Sequence, residues 1–468
     1  MVTAVTLATP VAAATAITAA LARHIASALS RPLPDDVRQQ ACLHIIDTVA
    51  AMVSGTELAA GRQALPFAAA MGGAPEASII GSGVLTNSHS AALANGILAH
   101  ADETDDSHAA SLTHPGCAVI PAALATAERL GRSGEDFMKA VVAGYDVCTR
   151  VSAALGGDHF FELGHSSHAF GGVFGAAAAA CAVAGHDERQ AAFGLAYAVQ
   201  MASGNACWRR DPDHIEKAFD FAGMPAHNGA LAERMVSAGF TGSAAPLDAE
   251  PNLFTAFPVH ARPELATAAL GERFAVTETA IKKWCVGSPI QAALDSVLAL
   301  MADTPFGPET VRKITVALPR HAAPVVDNKP MPAVNLQHQI TVLVHEGTLT
   351  FASTHDEARF ARSDYRDFAK RIVIEPRSDQ SFIDVPRQAI VTIAFIDGTT
   401  RSHRTLHVRG TPANPMTSEE VIAKATDLMT PVLGLSKAQR LIEHLLQPQG
   451  IADMRELRPL WLAQGTSS

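Results

Sequence analysis

Between residues 100 and 115 the chain reads His-Ala-Asp-Glu-Thr-Asp-Asp-Ser-His-Ala-Ala-Ser-Leu-Thr-His-Pro, placing three histidines and four acids directly after an apolar helical run. Imidazoles and carboxylates take up and release protons, so a junction this rich in them has the makings of an active-site wall. The same residue types also make solvated loops with capping Asp and Ser, the usual role of polar clusters between helices. The rest of the chain must decide between the two.

The elements that would position this segment can be read from periodicity. To about residue 265 apolar residues recur at three- and four-residue spacing. Asp35 is expected to cap a helix carrying Val37, Ile45, Val49 and Val53 and ending at Gly55. Ser133 with Asp136 resembles a capping box, and the helix behind it sets Phe137, Val141 and Tyr145 on one stripe. Gly171-Gly172-Val173-Phe174-Gly175 leads into a run of Ala, small side chains that let helices approach closely, which predicts a central buried helix. Ser288-Pro289 opens another helix through Leu294, Val297 and Leu298.

After about residue 270 the texture changes. Ile314, Val316 and Leu318 alternate as in a half-buried strand, Ile372-Val373-Ile374 reads as a second, and Ile390–Ile396, Asp397-Gly398 and Thr400–Val408 form a strong hairpin signal. Helices return with a Thr417/Glu420 capping box, a start at Ser436 and a final stretch over Arg455–Leu462. The expected architecture is mainly α: a large all-helical domain over 1–268, a smaller α+β domain over 269–410, and helices over 411–468 that pack back on the first domain. No internal repeat or low-complexity tail interrupts this plan.

At 468 residues, 48% of them hydrophobic, the chain has ample core for two domains. A net charge of −10 with no run of Lys and Arg argues against a nucleic-acid partner, which requires a basic stripe. An anionic substrate would therefore need a local basic pocket. The six cysteines, Cys42, Cys117, Cys148, Cys181, Cys207 and Cys285, have no zinc-ligand or dithiol spacing and read as buried, reduced thiols of a cytoplasmic protein. Val2–Ala22 lacks a basic n-region and reads as an amphipathic helix, and the Ala-rich runs are broken by Gly, His or charge, so no membrane span is expected. No His pair at four-residue spacing brackets a Glu, no acidic run has calcium-loop spacing, and no Gly-rich fingerprint follows a strand. Catalysis without metal or coenzyme is the expectation.

Taken in order, several motifs recur: an acidic segment after a helix ending in His, then Thr-His-Pro, a Gly-x-x-Gly-Ala-Ala-Ala helix, a lysine before Gly and an Asn-Gly helix start, and a Lys-x-aromatic element. In that order and over nearly the whole chain they resemble the MmgE/PrpD family, which includes 2-methylcitrate dehydratases, cis-aconitate decarboxylases and iminodisuccinate epimerases. The family's His-x-x-Asp-Phe-Asp-Asp-Thr falls on His100, Glu103, Thr104, Asp105, Asp106 and Ser107. Its Thr-His-Pro falls on Thr113, His114 and Pro115, one residue later than usual. The family's catalytic His would lie at Ser166, flanked by His165 and His168, and His168 is the better candidate. Tyr145 matches a Gly-Tyr pair, Lys217 the family lysine, Lys282-Lys283-Trp284 the Lys-x-aromatic element, and His338 a substrate tyrosine. Arg209 and Arg210 are further anion-binding candidates.

The resemblance implies a pocket that stabilises negative charge on a carbon beside a carboxylate. The departures from the family pattern, namely Glu103, the shifted His168, the histidine missing after Trp284, and His338, resemble the iminodisuccinate epimerase branch. On that reading His168 and Tyr145 exchange the Cα proton from two sides. His114 and Lys217 belong with them, and His100, Asp105, Ser107, Arg209, Lys282, Lys283 and His338 bind a polycarboxylate, in what is expected to be a homodimer. A dehydratase of 2-methylcitrate-like substrates, a cis-aconitate-type decarboxylase, or a non-catalytic helical binding module are the alternatives.

Overall fold

The computed structural model describes residues 16–465. Of the amphipathic helix expected over Val2–Ala22, residues 2–15 lie outside the described part; from Ile17 to Ala26 the chain is helical and buries Leu21, Ala22 and Ile25.

The large lobe is built around the helix Ser167–Ala184. Seventeen of its eighteen residues are buried, beneath the helices Pro115–Leu130, Gly134–Ala154, Glu188–Met201 and Met224–Ser237. Small residues make this possible: a Cβ on Gly175 would stand 2.5 Å from the Cys148 Cβ and 2.8 Å from the Gly144 carbonyl oxygen. The backbones of two helices meet where side chains would otherwise hold them apart. By length and apolarity this helix would also suffice to cross a bilayer, contrary to the sequence expectation, but its place is the protein core.

Helix ends follow the sequence with some corrections. Asp35 is not a cap. It is the first helical residue, after Pro34, and with Asp36 it sets negative charge in the first turn, where the helix dipole favours it. Ser133 Oγ accepts from the Asp136 amide, and Thr417 with Glu420 completes a reciprocal capping box. The helix expected from Ser436 starts at Leu435, and the last stretch is a 3-10 helix over Met454–Leu460. Five cysteines are buried, but Cys207 is half-exposed, and none is in a disulfide.

Besides a short ribbon of β1 (Ala77–Ser78) and β2 (Leu85–Thr86), the strands form one mixed sheet in the small lobe. Its order is β4 (Ile372–Arg377), β3 (Val311–Pro319), β5 (Ala389–Phe395), β6 (Thr400–Thr405), with only the β3–β4 pair parallel. Alternate residues of β5 are buried, and they pack with Ile314 and Val316 against the helices Ser288–Asp303 and Leu336–Glu346 as a separate apolar cluster. The closing helices Ser418–Leu433 and Leu435–Leu446 contribute Leu428, Met429, Leu441 and Ile442 to the core of the large lobe instead.

Candidate active site

The helix Ser88–Ala99 ends at His100, and the helix Pro115–Leu130 begins after His114. The titratable segment between them is therefore strung from one helix C-terminus to another's N-terminus. It is no solvated loop: His100, Thr104, Asp105 and Asp106 are fully buried. Buried carboxylates require partners. The Asp106 carboxylate accepts from the Gly116 amide at 3.0 Å, from Tyr145 Oη at 2.6 Å and lies 2.7 Å from His44 Nδ1. A Cβ at residue 116 would fall 2.7 Å from the Tyr145 hydroxyl, so glycine is required there. Lys424 donates to the Thr104 carbonyl and lies 2.6 Å from Asp47, tying the closing helices to the underside of the segment.

On the other side lies a cluster of histidines and lysines. His100 Nδ1 and His114 Nδ1 stand 2.9 and 3.0 Å from the same oxygen of Asp105. Lys282 donates to the Glu103 carbonyl at 2.8 Å and reaches Asp105 at 3.5 Å, and Lys217 pairs with the Glu103 carboxylate. Lys217 comes from an unusual stretch. His214 before it adopts a left-handed conformation (φ 60°), and after it a π-helical turn, Phe219–Gly223, leads into the next helix. Such turns and non-glycine positive φ values are costly and concentrate at functional sites. Here they place Phe221 at the hub, stacked on His168 at 3.7 Å and on His100 at 4.5 Å between ring centres, with Lys217 Nζ 5.0 Å from its ring. His114 meets His168 edge-on at 5.2 Å.

The electrostatics of the two residue types diverge. Burial alone would raise the Glu103 and Asp105 carboxyls. Lys217 and Lys282 overcome it at Glu103, as do His100, His114 and Lys282 at Asp105, and both are held well below the usual carboxylate range. The imidazoles go the other way: burial lowers His114 to about 4 and His214 to about 3, and holds His168 well below its ordinary value. At neutral pH these three rings are uncharged. Nδ1 of His168, Nε2 of His100 and His214, and Nε1 of Trp208 have no hydrogen-bond partner among the described residues. Unpaired buried polar atoms are rare, and three on rings packed against one aromatic hub, with a fourth on the ring beside His100, mark where a polar ligand would sit.

Acid should therefore unfold the protein early. Unfolded, these histidines titrate near 6.5, so the stability they contribute is complete above that pH and is lost as pH falls toward the folded-state values. For His114 alone the loss is roughly 3 kcal/mol by its folded-state value. Denaturant midpoints should fall between pH 6.5 and 4.5, ahead of the carboxylates, and a flat profile over that window would show that the rings are solvated.

The structure thus brings His100, Asp105, His114, His168, Lys217 and Lys282 together, and sets five other candidates apart. Tyr145 is wholly buried with its hydroxyl committed to Asp106; burial and then the Asp106 charge push that hydroxyl well above the usual tyrosine value, which makes it a fixed donor. His338 is buried in the small lobe, edge-on to Phe360 at 4.9 Å. Lys283 lies over Trp284, and the exposed Arg209 over Phe161 on the outer side of His168. Ser107 accepts from Arg387 at 3.1 Å. Ser166, at the register expected for a histidine, caps the central helix and holds Asp220, which burial pushes up to about 7.

Sequence reasoning missed His44, Asp47, His214, Phe221, Arg387 and Lys424. His44 and Asp47 were visible as two polar residues in an apolar helical run, and His214 as a neighbour of Lys217 one helical turn away. Phe221 and Lys424 carried no signal. For a metal, His100, Asp105 and Cys117 are the group with suitable separations among the described residues. Two of the three are already engaged: Asp105 holds two imidazoles, and the Cys117 thiol, raised by burial far above its usual value, donates to the His114 carbonyl at 3.2 Å.

The profile of the MmgE/PrpD N-terminal domain matches residues 19–265, and that of the MmgE/PrpD C-terminal domain matches 284–447. The chain belongs to the MmgE/PrpD family. Among curated proteins, a cis-aconitate decarboxylase-like protein of Aspergillus oryzae is 24% identical over 480 residues, covering 95% of this chain and 97% of that protein. Membership makes the protein an enzyme. The MmgE/PrpD C-terminal match includes the helices Ser418–Leu433 and Leu435–Leu446, whose apolar faces nevertheless belong to the core of the large lobe.

Proposed function

We propose that this MmgE/PrpD protein is a lyase that decarboxylates an unsaturated polycarboxylate of the cis-aconitate type. The observation that carries this reading is the one-sided grouping of proton-handling side chains: His100, His114, His168 and Lys217 surround Phe221, while Tyr145 is withheld by Asp106. The epimerase suggested by the sequence departures needs a base and an acid on opposite faces of one carbon, and Tyr145 was to be the second of them. Decarboxylation needs one proton donor and a means of stabilising charge. The name of the fungal relative points the same way.

In the proposed reaction the C–C bond to the departing carboxylate breaks, and its electron pair passes into the conjugated system of a remaining carboxylate. Carbon dioxide leaves, and a proton from the Lys217 ammonium forms the new C–H bond, after which solvent reprotonates the amine. Uncharged His168 donates an N–H bond to the developing charge, in a site dry enough for such a bond to be strong, while His114, whose one N–H is given to Asp105, presents a bare ring nitrogen. Glu103 holds Lys217 in place.

The test is incubation in D2O with cis-aconitate, iminodisuccinate stereoisomers and 2-methylcitrate, read by NMR and carbon dioxide release. Carbon dioxide with one deuterium per product molecule is expected from cis-aconitate. Deuterium at the iminodisuccinate Cα without C–C cleavage would establish the epimerase instead, and water loss from 2-methylcitrate the dehydratase.

A further inference from the structure

The charges of the cluster cancel. Lys217 and Lys282 face Glu103 and Asp105, and His114 and His168 are neutral. Lys424 is taken by Asp47. A substrate with several carboxylates needs a cation that no protein carboxylate already holds.

One lies where Ser107 meets the small lobe, in a cleft that shares Lys282 with the cluster. A narrow cleft there is lined by Ser107, Lys282, Ser288, Gln291, Arg387 and Arg409, with about 20 Å³ open to the centre of a water-sized group. That is room for one carboxylate or a water, not for a whole substrate. Most of its polar walls are engaged. Arg409 is held by Glu420, and the Gln291 amide donates to the Trp284 and Val286 carbonyls at 2.8 and 2.9 Å while its oxygen accepts from the Trp284 amide.

Arg387 differs. Its Nη1 donates to Ser107 Oγ at 3.1 Å, and among the described residues no carboxylate lies within ion-pair distance of it. Burial draws its guanidinium below the usual arginine value with no acid to restore it. An arginine set in a cleft without a counter-charge, beside the lysine that touches Asp105, is costly unless an anion arrives.

We propose that Arg387, with Ser107 and Lys282, forms a carboxylate subsite at the lobe junction that receives a distal carboxylate of the substrate and selects tricarboxylates over dicarboxylates. The planar guanidinium can bind both oxygens of one carboxylate, and Ser107 orients it. This rests on the polycarboxylate reading above, but binding tests it without turnover.

Tricarballylate, an unreactive tricarboxylate, and glutarate, a dicarboxylate, are titrated calorimetrically into the full-length wild type, Arg387→Gln and Arg387→Lys. Wild type should bind tricarballylate at least tenfold tighter than glutarate. Arg387→Gln should lose at least tenfold for tricarballylate and less than twofold for glutarate, with partial recovery in Arg387→Lys. Equal affinities in wild type and Arg387→Gln, or equal loss of both ligands, would overturn the subsite. So would Arg387-dependent binding of inorganic phosphate with no preference between the two acids, since the cleft would then hold a free anion. If the preference holds but no substrate is decarboxylated, the subsite stands and the reaction proposed above falls.

Discussion

Replacing Lys217 by methionine should lower kcat by roughly 10²–10⁴-fold, the usual contribution of a positioned proton donor. Lys217 is the cation nearest the aromatic hub, with Nζ 5.0 Å from Phe221 and 5.4 Å from Trp208, and its side chain keeps 16% of its surface exposed in a cluster otherwise closed. The loss has two possible origins, charge and proton, and arginine separates them. Lys217→Arg keeps the positive charge opposite Glu103 but does not give up a proton at any accessible pH. A donor role predicts that Lys217→Arg is as slow as Lys217→Met, with KM closer to wild type. If arginine restores kcat, Lys217 only binds and the proton comes from elsewhere. Glu103 is not stranded in either variant, because Lys282 lies 3.8 Å and His214 3.9 Å from its carboxylate.

The second large effect is on stability. Asp105 is fully buried and its charge is matched by Lys282 at 3.5 Å, with His100 and His114 sharing its other oxygen. Removing one member of a buried charged group leaves the others uncompensated, which costs about 3–5 kcal/mol. Asp105→Ala should lose that much in equilibrium denaturation. Asp105→Asn should lose less, because an amide oxygen still accepts from the imidazoles and Lys282 keeps the Glu103 carboxylate at 3.8 Å. Both should lose activity, since Asp105 sets the orientation of His114. If Asp105→Ala unfolds at the wild-type denaturant midpoint, the segment is not the structural hub that its burial implies.

Two positions show why sequence patterns located the site but misjudged its arrangement. Tyr145 and His168 lie on neighbouring helices and look like partners in a linear reading. Yet Tyr145 Oη is drawn to the side of the segment held by Asp106, and His168 to the side held by Asp105. Adjacent residues of an extended segment point to opposite faces, so two neighbouring aspartates serve two different environments. In the same way Arg387 lies 280 residues from Ser107 and becomes its partner only because the lobes close on one another.

The sequence alone determined the helical large lobe, the hairpin and separate strands of the small lobe, the family, and the segment that carries the chemistry. Each of these is written in local periodicity, capping and turn residues, or in the order of short motifs, and such signals survive without knowledge of the fold. The tertiary structure decided which faces of that segment are dry, which carboxylate each cation serves, and which histidines stay neutral. Those properties depend on burial and on distances between residues far apart in the chain. The energy of a charge is set by its surroundings, and no residue's own identity or spacing records them.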